Sequence, residues 1–506
     1  MTSATETKTL YDLLTNGAPE KTAILVPGGP AISYASLRRQ VAALAEQLKG
    51  LGVKRGDRVA TVLPNSPECI ISFLAAATAG TAAPLNAAYK ADEFQFYLED
   101  TKAKVLITPP SGAEAALGVA SADITRVAVT MDERGEVSFQ ATGASKGKAN
   151  DGMSQAEDVA LVLHTSGTTS RPKRVPLKHR NLLASVANIV KTYGLTPADS
   201  SFCIMPLFHV HGLMASTMST LSSGGTVVVP GRFNPLNFWP AVRDSRATWF
   251  TAVPTMHNAL LARARGANQP ASSYHQTLRF IRSCSAPLSP VTMKELEERF
   301  GVPVLEAYGM TEASHQMSSN PLPPAARKPG SVGPGTGVQI AIMDEEGKLL
   351  ANGAQGEVVI KGPNVITGYE DNPQANATSF TNGWFRTGDE GILDSQNYLT
   401  LVARIKELIN RSGEKISPVE IDEVLLSHPA VAEAVAFAAP SATHGEEPAA
   451  AVVLSGQVTE AELMKHCRER LADFKVPRTI YIVQQIPRTA TGKVQRRAVS
   501  EALIKK

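Results

Sequence analysis

Residues 165–173 of the chain read Thr165-Ser166-Gly167-Thr168-Thr169-Ser170-Arg171-Pro172-Lys173. Five hydroxyl side chains, one glycine and two cations make this stretch rich in hydrogen-bond donors, and oxyanions bind to loops of this kind. The apolar run 159–164 before it predicts a buried strand, and Asn181 after it is a suitable N-cap for an amphipathic helix. The stretch therefore predicts a strand-to-helix loop that binds phosphate. It is not the common P-loop, which ends in Gly-Lys-Ser/Thr.

The composition is that of an ordinary globular protein. The chain has 506 residues, of which 43% are hydrophobic and 19% charged, and its formal net charge is +3. This length suffices for two or more domains, and the near-neutral charge does not favour a nucleic-acid or membrane partner. The four cysteines are widely spaced and predict reduced thiols. We find neither a secretory signal nor an apolar run of membrane-spanning length, so the sequence predicts a soluble intracellular protein.

The order of elements predicts an α/β fold. Short apolar strands alternate with helical patterns over residues 20–135 and again after the phosphate loop, which indicates layered α/β subdomains with largely parallel sheets. From about residue 333 to 401 the pattern is rich in strands, and beyond it a compact α+β unit follows. We predict a large N-terminal domain over 1–403, with a β-rich part at 333–401, and a small C-terminal domain over 404–506 with a hinge at 404–407.

Four further motifs carry residue types that suit nucleotide chemistry. Residues 308–312 (Tyr-Gly-Met-Thr-Glu) offer an aromatic face for a purine and a carboxylate for a metal ion. Residues 384–389 place Asp389 after a tight glycine turn, where a carboxylate can accept hydrogen bonds from ribose hydroxyls. Residues 402–409 include Arg404 and Lys406, and residues 487–497 form a basic loop. Alone, these motifs also fit a surface turn, a charged helix or a basic tail.

In order and spacing, the five motifs resemble the adenylate-forming superfamily of acyl-CoA synthetases, peptide-synthetase adenylation domains and luciferases. Ser170 and Ala403 depart from the family pattern, which usually has Gly at the first position and Gly or Asp at the second. The resemblance implies two reactions: a carboxylate attacks the α-phosphorus of MgATP to give acyl-AMP, and a thiol then attacks the activated carbonyl. Between them the small, mobile domain rotates about Lys406. The implied co-substrates and cofactor are ATP, coenzyme A and Mg²⁺.

The same resemblance implies a role for individual residues. Lys493, Thr311, Glu312 and His209 are the implied catalytic residues, and Glu312 also ligates Mg²⁺. Gly413 lies where pantetheine would pass. The implied ATP- and AMP-binding residues are Thr165, Ser166, Gly167, Thr168, Thr169, Lys173, Tyr308, Gly309, Thr311, Asp389, Arg404 and Lys493.

Three stretches are expected to line the acyl pocket, namely 208–212, 283–287 and 313–316. His315, Ser285 and His211 put polar donors near the reacting carboxylate, which shortens the pocket. Such donors can hold a second carboxylate, whereas apolar walls would reject it because of the desolvation cost of a buried charge. Alternatively, His315 is a structural histidine bonded to a backbone group. Residues 310–323 and 404–418 resemble the oxalyl-CoA synthetases of plants and fungi, and this resemblance implies oxalate.

Three other functions compete with this interpretation. A medium-chain or 4-coumarate-type ligase would keep the chemistry but needs a roomier pocket. A CoA-independent adenylating enzyme is disfavoured by Gly413 and its context, and a non-catalytic, RNA-binding relative by the presence of Glu312 and Lys493. Because no carrier-protein motif is evident, free CoA is the expected thiol. The chain ends Ile504-Lys505-Lys506 without a peroxisomal Ser-Lys-Leu signal, so we expect a cytoplasmic or peroxisomal protein.

Overall fold

The structure is a computed structural model that describes residues 7–142, 152–165, 172–265, 270, 273–488 and 494–504. The first part of the chain alternates strands and helices, as the sequence predicts. Its elements are β1 (Thr22–Leu25), β2 (Ala31–Ser33), α1 (Tyr34–Gly50), β3 (Arg58–Thr61), α2 (Pro67–Ala79), β4 (Thr81–Pro84), α3 (Ala91–Thr101), β5 (Ala103–Thr108), α4 (Glu114–Val119), β6 (Thr125–Met131), β7 (Val137–Thr142), β8 (Val159–Thr165), β9 (Lys173–Lys178) and α5 (His179–Tyr193).

A second series of alternating elements follows. It comprises β10 (Ser200–Phe202), a π-helix (His211–Met218), α6 (Ser219–Ser222), β11 (Thr226–Val228), α7 (Phe238–Asp244), β12 (Trp249–Ala252), α8 (Pro254–Ala264), β13 (Phe280–Ser283), α9 (Pro290–Phe300), β14 (Val304–Met310) and β15 (His315–Ser319). Helices α8 and α9 begin at Pro254 and Pro290, because proline at the first helical position needs no backbone N–H donor.

The remaining elements form two smaller sheets. The first uses β16 (Gln339–Met343), β17 (Leu349–Leu350), β18 (Gln355–Lys361), β19 (Phe380–Thr381), β20 (Trp384–Leu393) and β21 (Leu399–Arg404), with α10 (Pro373–Ser379) before β19. The second uses β22 (Ile409–Arg411), β23 (Glu414–Ile416), β24 (Val431–Ser441), β25 (Gly445–Leu454) and β26 (Thr479–Ile482). It is accompanied by α11 (Pro418–Leu426), α12 (Glu460–Arg468) and α13 (Arg496–Ile504).

Two large sheets dominate the molecule. One has the strand order β7-β6-β5-β3-β4-β8-β9 and the other β15-β14-β13-β12-β10-β11-β1-β2. Most of their neighbouring strands are parallel, while the outermost pairs β6–β7, β8–β9, β14–β15 and β1–β2 are antiparallel. One apolar core spans both sheets, the helices between them and the β-rich sheet. The predicted α/β class is confirmed.

The segment after the phosphate loop differs from the prediction. The loop does not lead straight into a helix, because β9 pairs antiparallel with β8 and only then does α5 begin. Pro176 interrupts the strand pattern in the sequence, and it is tolerated because β9 is an edge strand. Asn181 is not the N-cap of α5. It lies in the first turn, and its Oδ1 accepts the Lys178 backbone N–H at 3.2 Å.

The cysteine prediction agrees with the structure, in which all four cysteines are buried free thiols. Among the described residues, no helix combines the length and the apolar character needed to cross a bilayer.

Candidate active site

The ends of the phosphate loop lie opposite each other. Thr165 ends β8, Lys173 begins β9, and the antiparallel register pairs the two residues directly. The predicted phosphate ligands Ser166, Gly167, Thr168 and Thr169 lie outside the described residues, as do Ser170 and the predicted catalytic Lys493. Their roles stay predictions. The hairpin therefore fixes where the loop starts and ends, beside the carboxylate of Glu312.

Glu312 lies in a short 3-10 helix (Thr311–Ala313) at the end of β14 and is 6% exposed. Its Oε1 accepts the Tyr369 hydroxyl at 2.9 Å and the Thr165 hydroxyl at 3.3 Å. Mg²⁺ takes oxygen ligands and is usually held by one or two carboxylates together with waters and substrate phosphates. The residues present thus fit the implied metal ion.

Lys173 stands over the ring of Tyr369, with its Nζ 4.4 Å from the ring centroid. Burial lowers the pKa of the Lys173 ammonium, the charge of Glu312 opposes this shift, and Lys406 adds to it. Burial also raises the pKa of Tyr369, so its hydroxyl stays a donor to Glu312. Tyr369 thereby orients both the cation and the carboxylate. The sequence analysis missed this residue because a Gly-Tyr pair after a strand carries no chemical signature alone.

The predicted ribose-binding carboxylate lies in a strand rather than in a turn. Asp389 is inside β20, and the register places it opposite Arg404 at the end of β21. Arg404 Nε lies 2.7 Å from Asp389 Oδ1, and the Tyr308 hydroxyl donates to Asp389 Oδ2. Burial and the nearby carboxylate raise the pKa of Tyr308 well above its usual value. Three residues that the sequence assigns to one nucleotide thus meet at one place.

Tyr308 itself belongs to strand β14 and not to a turn after it. The strand continues through Gly309 and Met310 because β15 returns alongside it, with Met310 opposite His315. A Cβ at Gly309 would lie 2.0 Å from the His315 carbonyl oxygen, so only glycine permits this approach. The close hairpin connects the nucleotide motif to the predicted acyl pocket.

The three predicted acyl-pocket residues meet. His211 Nδ1 lies 3.0 Å from Ser285 Oγ, and the imidazoles of His211 and His315 stack with ring centroids 5.0 Å apart. Both histidines are at most 3% exposed. Ser285 and His315 adopt positive φ angles of 74° and 107°, which are uncommon for residues with a side chain and recur at functional sites. His209 lies two residues before His211, and its ring packs against Phe208 at 4.7 Å.

A fully buried arginine lies beneath the two histidines. Arg282 in β13 is 0% exposed, and its nitrogens contact Tyr193 Oη at 2.7 Å, Thr251 Oγ1 at 3.0 Å, His315 Nε2 at 3.1 Å, Gln316 Oε1 at 3.1 Å and His211 Nε2 at 3.3 Å. The thiol of Cys284 also interacts with it. The sequence analysis missed this residue. The signal available in the sequence was the position of Arg282, a cation within the predominantly apolar strand 280–283, directly before the predicted pocket stretch 283–287.

The small-domain residues predicted to act in the second reaction lie on two neighbouring elements. Lys406 is in a short 3-10 helix (Ile405–Glu407) that joins β21 to β22. Gly413 is at the tip of the β22–β23 hairpin with φ +95°, beside Ser412 with φ +51°. The roles of hinge and pantetheine passage stay predictions.

Comparison with known proteins identifies the class. The family model of AMP-binding enzymes matches residues 14–370, and that of the AMP-binding enzyme C-terminal domain matches residues 420–493. The chain belongs to the AMP-binding enzyme family, and the predicted resemblance is confirmed.

Individual relatives cover nearly the whole chain. The oxalate–CoA ligase of Arabidopsis thaliana is 47% identical over 99% of this chain and 100% of that protein. The oxalate–CoA ligase of Saccharomyces cerevisiae is 44% identical over 90% of this chain and 88% of its own. The crystal structure of ATP-bound MatB from Rhodopseudomonas palustris superposes with a TM-score of 0.87 at 32% identity, over 98% of this chain and 99% of that one.

Proposed function

We propose that the protein is an ATP-dependent oxalate–CoA ligase, which converts oxalate, ATP and CoA into oxalyl-CoA, AMP and pyrophosphate. The observation that carries this proposal is the cluster of polar side chains in the predicted acyl pocket. His211, Ser285 and His315 meet there beside a buried guanidinium. A fatty acid or 4-coumarate would bury an apolar chain against these groups and leave their hydrogen bonds unmatched. A short acid with a second carboxylate matches them. The near-full-length similarity to two oxalate–CoA ligases supports the same assignment.

The first half-reaction joins oxalate to AMP. One carboxylate oxygen attacks the α-phosphorus of ATP, the bond to the β-phosphate breaks, and pyrophosphate leaves. Lys173 and the hydroxyl of Thr165 lie where the phosphate loop begins and ends, and they would hold the phosphates in line for attack. Mg²⁺ at Glu312 would supply charge neutralisation on the phosphate oxygens. Asp389 and Arg404 would hold the ribose, and Lys493 would approach the reacting phosphate.

The second half-reaction transfers the acyl group. The CoA thiol loses its proton and attacks the oxalyl carbonyl, the acyl–phosphate bond breaks, and AMP leaves. We propose that the C-terminal domain, residues 404–506, turns about Lys406 between the two steps against the N-terminal domain, residues 1–403, and brings Gly413 to the site. We expect the enzyme in the cytoplasm or the peroxisome, and imaging of a fluorescent fusion beside a peroxisomal marker distinguishes the two.

The proposed function is tested by AMP release from ATP, Mg²⁺ and CoA with oxalate, malonate, octanoate or 4-coumarate. We expect turnover with oxalate, and a loss of about 100-fold in His315→Ala because a buried hydrogen-bond donor to a charged substrate is removed. His275→Ala is the matched control, since that histidine donates from Nε2 to the Phe300 carbonyl at the end of α9, away from the site. Preference for octanoate or 4-coumarate, with His315→Ala harmless, would support the roomier ligase instead.

A further inference from the structure

Among the described residues, no carboxylate pairs with the cation that lies beside His211 and His315. Arg282 is fully buried, and within the described part of the chain its hydrogen bonds go to hydroxyl, imidazole and amide groups rather than to a carboxylate. A guanidinium stays protonated in proteins, and burying it is unfavourable unless a nearby charge compensates it. An anionic ligand close to Arg282 would provide that compensation.

The guanidinium also fixes the protonation of His315. Arginine has five N–H donors and no acceptor, so the Nε2 atom that it contacts at 3.1 Å must accept. An imidazole that accepts at Nε2 is neutral and carries its proton on Nδ1. His315 is therefore an Nδ1–H donor.

Arg282 also determines the protonation of His211, both directly and through Thr251. Arg282 approaches His211 Nε2 at 3.3 Å and has only donors, so this Nε2 accepts. The Thr251 hydroxyl, 2.6 Å from the same Nε2, then donates to it while its oxygen accepts from Arg282. His211 then carries its proton on Nδ1 and donates it to Ser285 Oγ at 3.0 Å. The Ser285 hydroxyl proton remains to donate onward. A chain of hydrogen bonds thus runs from the guanidinium to the pocket, and each bond polarises the next.

We propose that Arg282 is the positioning residue that makes the acyl pocket selective for a dicarboxylate. It contacts Nε2 of both His211 and His315, so that both imidazoles are neutral with the proton on Nδ1 and His211 donates to Ser285, while its own charge balances the second carboxylate of the substrate. This assignment rests on the proposed function, because it names what distinguishes a two-carbon dianion from a monocarboxylate at the same site.

The kinetic test compares Arg282→Met and Arg282→Lys with wild type. In Arg282→Met we expect KM for oxalate to rise about 100-fold, the usual consequence of removing a buried charge opposite a charged group, with KM for ATP unchanged within about threefold. Arg282→Lys keeps the charge but loses the planar guanidinium whose two ends contact both histidines. We therefore expect a smaller rise, about tenfold, in KM for oxalate. Arg279→Met is the matched control, since Arg279 precedes the same strand and pairs with Asp199. It should leave KM for oxalate unchanged.

A measurement on wild type makes the test independent of how the variants fold. Long-range ¹H–¹⁵N spectra of protein labelled at its ten histidines report the tautomer of each ring, and His211→Ala and His315→Ala identify the two signals. Nδ1–H tautomers for both rings support the assignment. An Nε2–H tautomer or an imidazolium overturns it.

The outcomes separate the two proposals. Wild type that turns over oxalate, with KM for oxalate unchanged in Arg282→Met, overturns the role of Arg282 alone. Wild type that releases AMP only with octanoate or 4-coumarate overturns the proposed function and this assignment together.

Discussion

At the residue scale, Tyr369 contacts two charged side chains of this site. Its hydroxyl donates to Glu312 at 2.9 Å, and the ammonium of Lys173 lies over its ring. In Tyr369→Phe the ring and its contact with Lys173 remain, while the carboxylate of Glu312 loses the nearer of its two hydroxyl donors. Because hydrogen-bond partners of metal ligands contribute about 10- to 100-fold to metal affinity or activity, we expect the Mg²⁺ concentration for half-maximal AMP release to rise by about that factor.

Tyr398→Phe is the matched control for this prediction. The ammonium of Lys328 lies over the ring of Tyr398 in the same way. The Tyr398 hydroxyl, however, donates to the Ala326 carbonyl outside the site. Its Mg²⁺ dependence should equal that of wild type. An unchanged Mg²⁺ requirement in Tyr369→Phe would mean that the tyrosine only packs against the site.

Glu306 gives a second prediction at this scale. Its Oε1 accepts the Leu288 backbone N–H at 2.9 Å, and its buried Oε2 has no hydrogen-bond partner among the described residues. Burial raises the pKa of this carboxyl from its ordinary value of 4.5 to about 8. Between these two values the folded protein binds a proton that the unfolded chain releases, so the stability falls as the pH rises.

Glu306→Gln should remove that dependence. The amide oxygen can still accept the Leu288 N–H, and no charge has to be buried. We expect the variant to gain stability over wild type between pH 5 and pH 8, on the order of 2–4 kcal/mol at the upper end. Thermal melts across this range measure the difference, and parallel pH profiles for the two proteins would contradict it.

At the scale of elements, the β14–β15 hairpin positions His315, a residue of the proposed acyl pocket. Its two strands approach so closely at Gly309 that a methyl group there would lie 2.0 Å from the His315 carbonyl oxygen. Gly309→Ala should therefore force the strands apart, lower stability by roughly 1–3 kcal/mol and displace His315. We expect a lower melting temperature together with a higher KM for oxalate.

Gly118→Ala tests whether this effect is local. Gly118 is exposed in α4, and a Cβ there would meet nothing within 4 Å. The change should be neutral or stabilising by up to about 1 kcal/mol, because alanine favours a helix over glycine. If Gly309→Ala were equally harmless, the hairpin would be more adaptable than its geometry indicates.

At the scale of the whole molecule, the link between β21 and β22 is the predicted hinge. A rotation there requires changes in φ near Lys406, and proline fixes φ. In Lys406→Pro we expect pyrophosphate release with oxalate to persist while oxalyl-CoA formation falls by more than an order of magnitude. Lys406→Ala removes the ammonium without fixing φ, so a comparison of the two variants separates these two effects. Equal losses in both half-reactions would show that Lys406 acts in the site and not as a hinge.

The sequence by itself determined the fold class, most element positions and the five motifs. These features depend on local signals: apolar periodicity marks strands such as β8 and β16, and Pro254 and Pro290 mark helix starts. Strand β9 was not predicted because a proline such as Pro176 is typical of a loop. Its pairing with β8 shows that β9 is an edge strand. The stretches expected to line the acyl pocket also identified His211, Ser285 and His315, although not how their side chains bond.

Only the tertiary structure decided which distant residues meet. Asp389 faces Arg404 because of the β20–β21 register, and Tyr308 reaches them from another sheet. Arg282 contacts His211 and His315 across three elements, 71 and 33 residues away in sequence. Side-chain periodicity says which face of a strand is buried, but the strand order and the packing of sheets determine what lies against that face. A buried arginine therefore acquires its role from neighbours that no local pattern can specify.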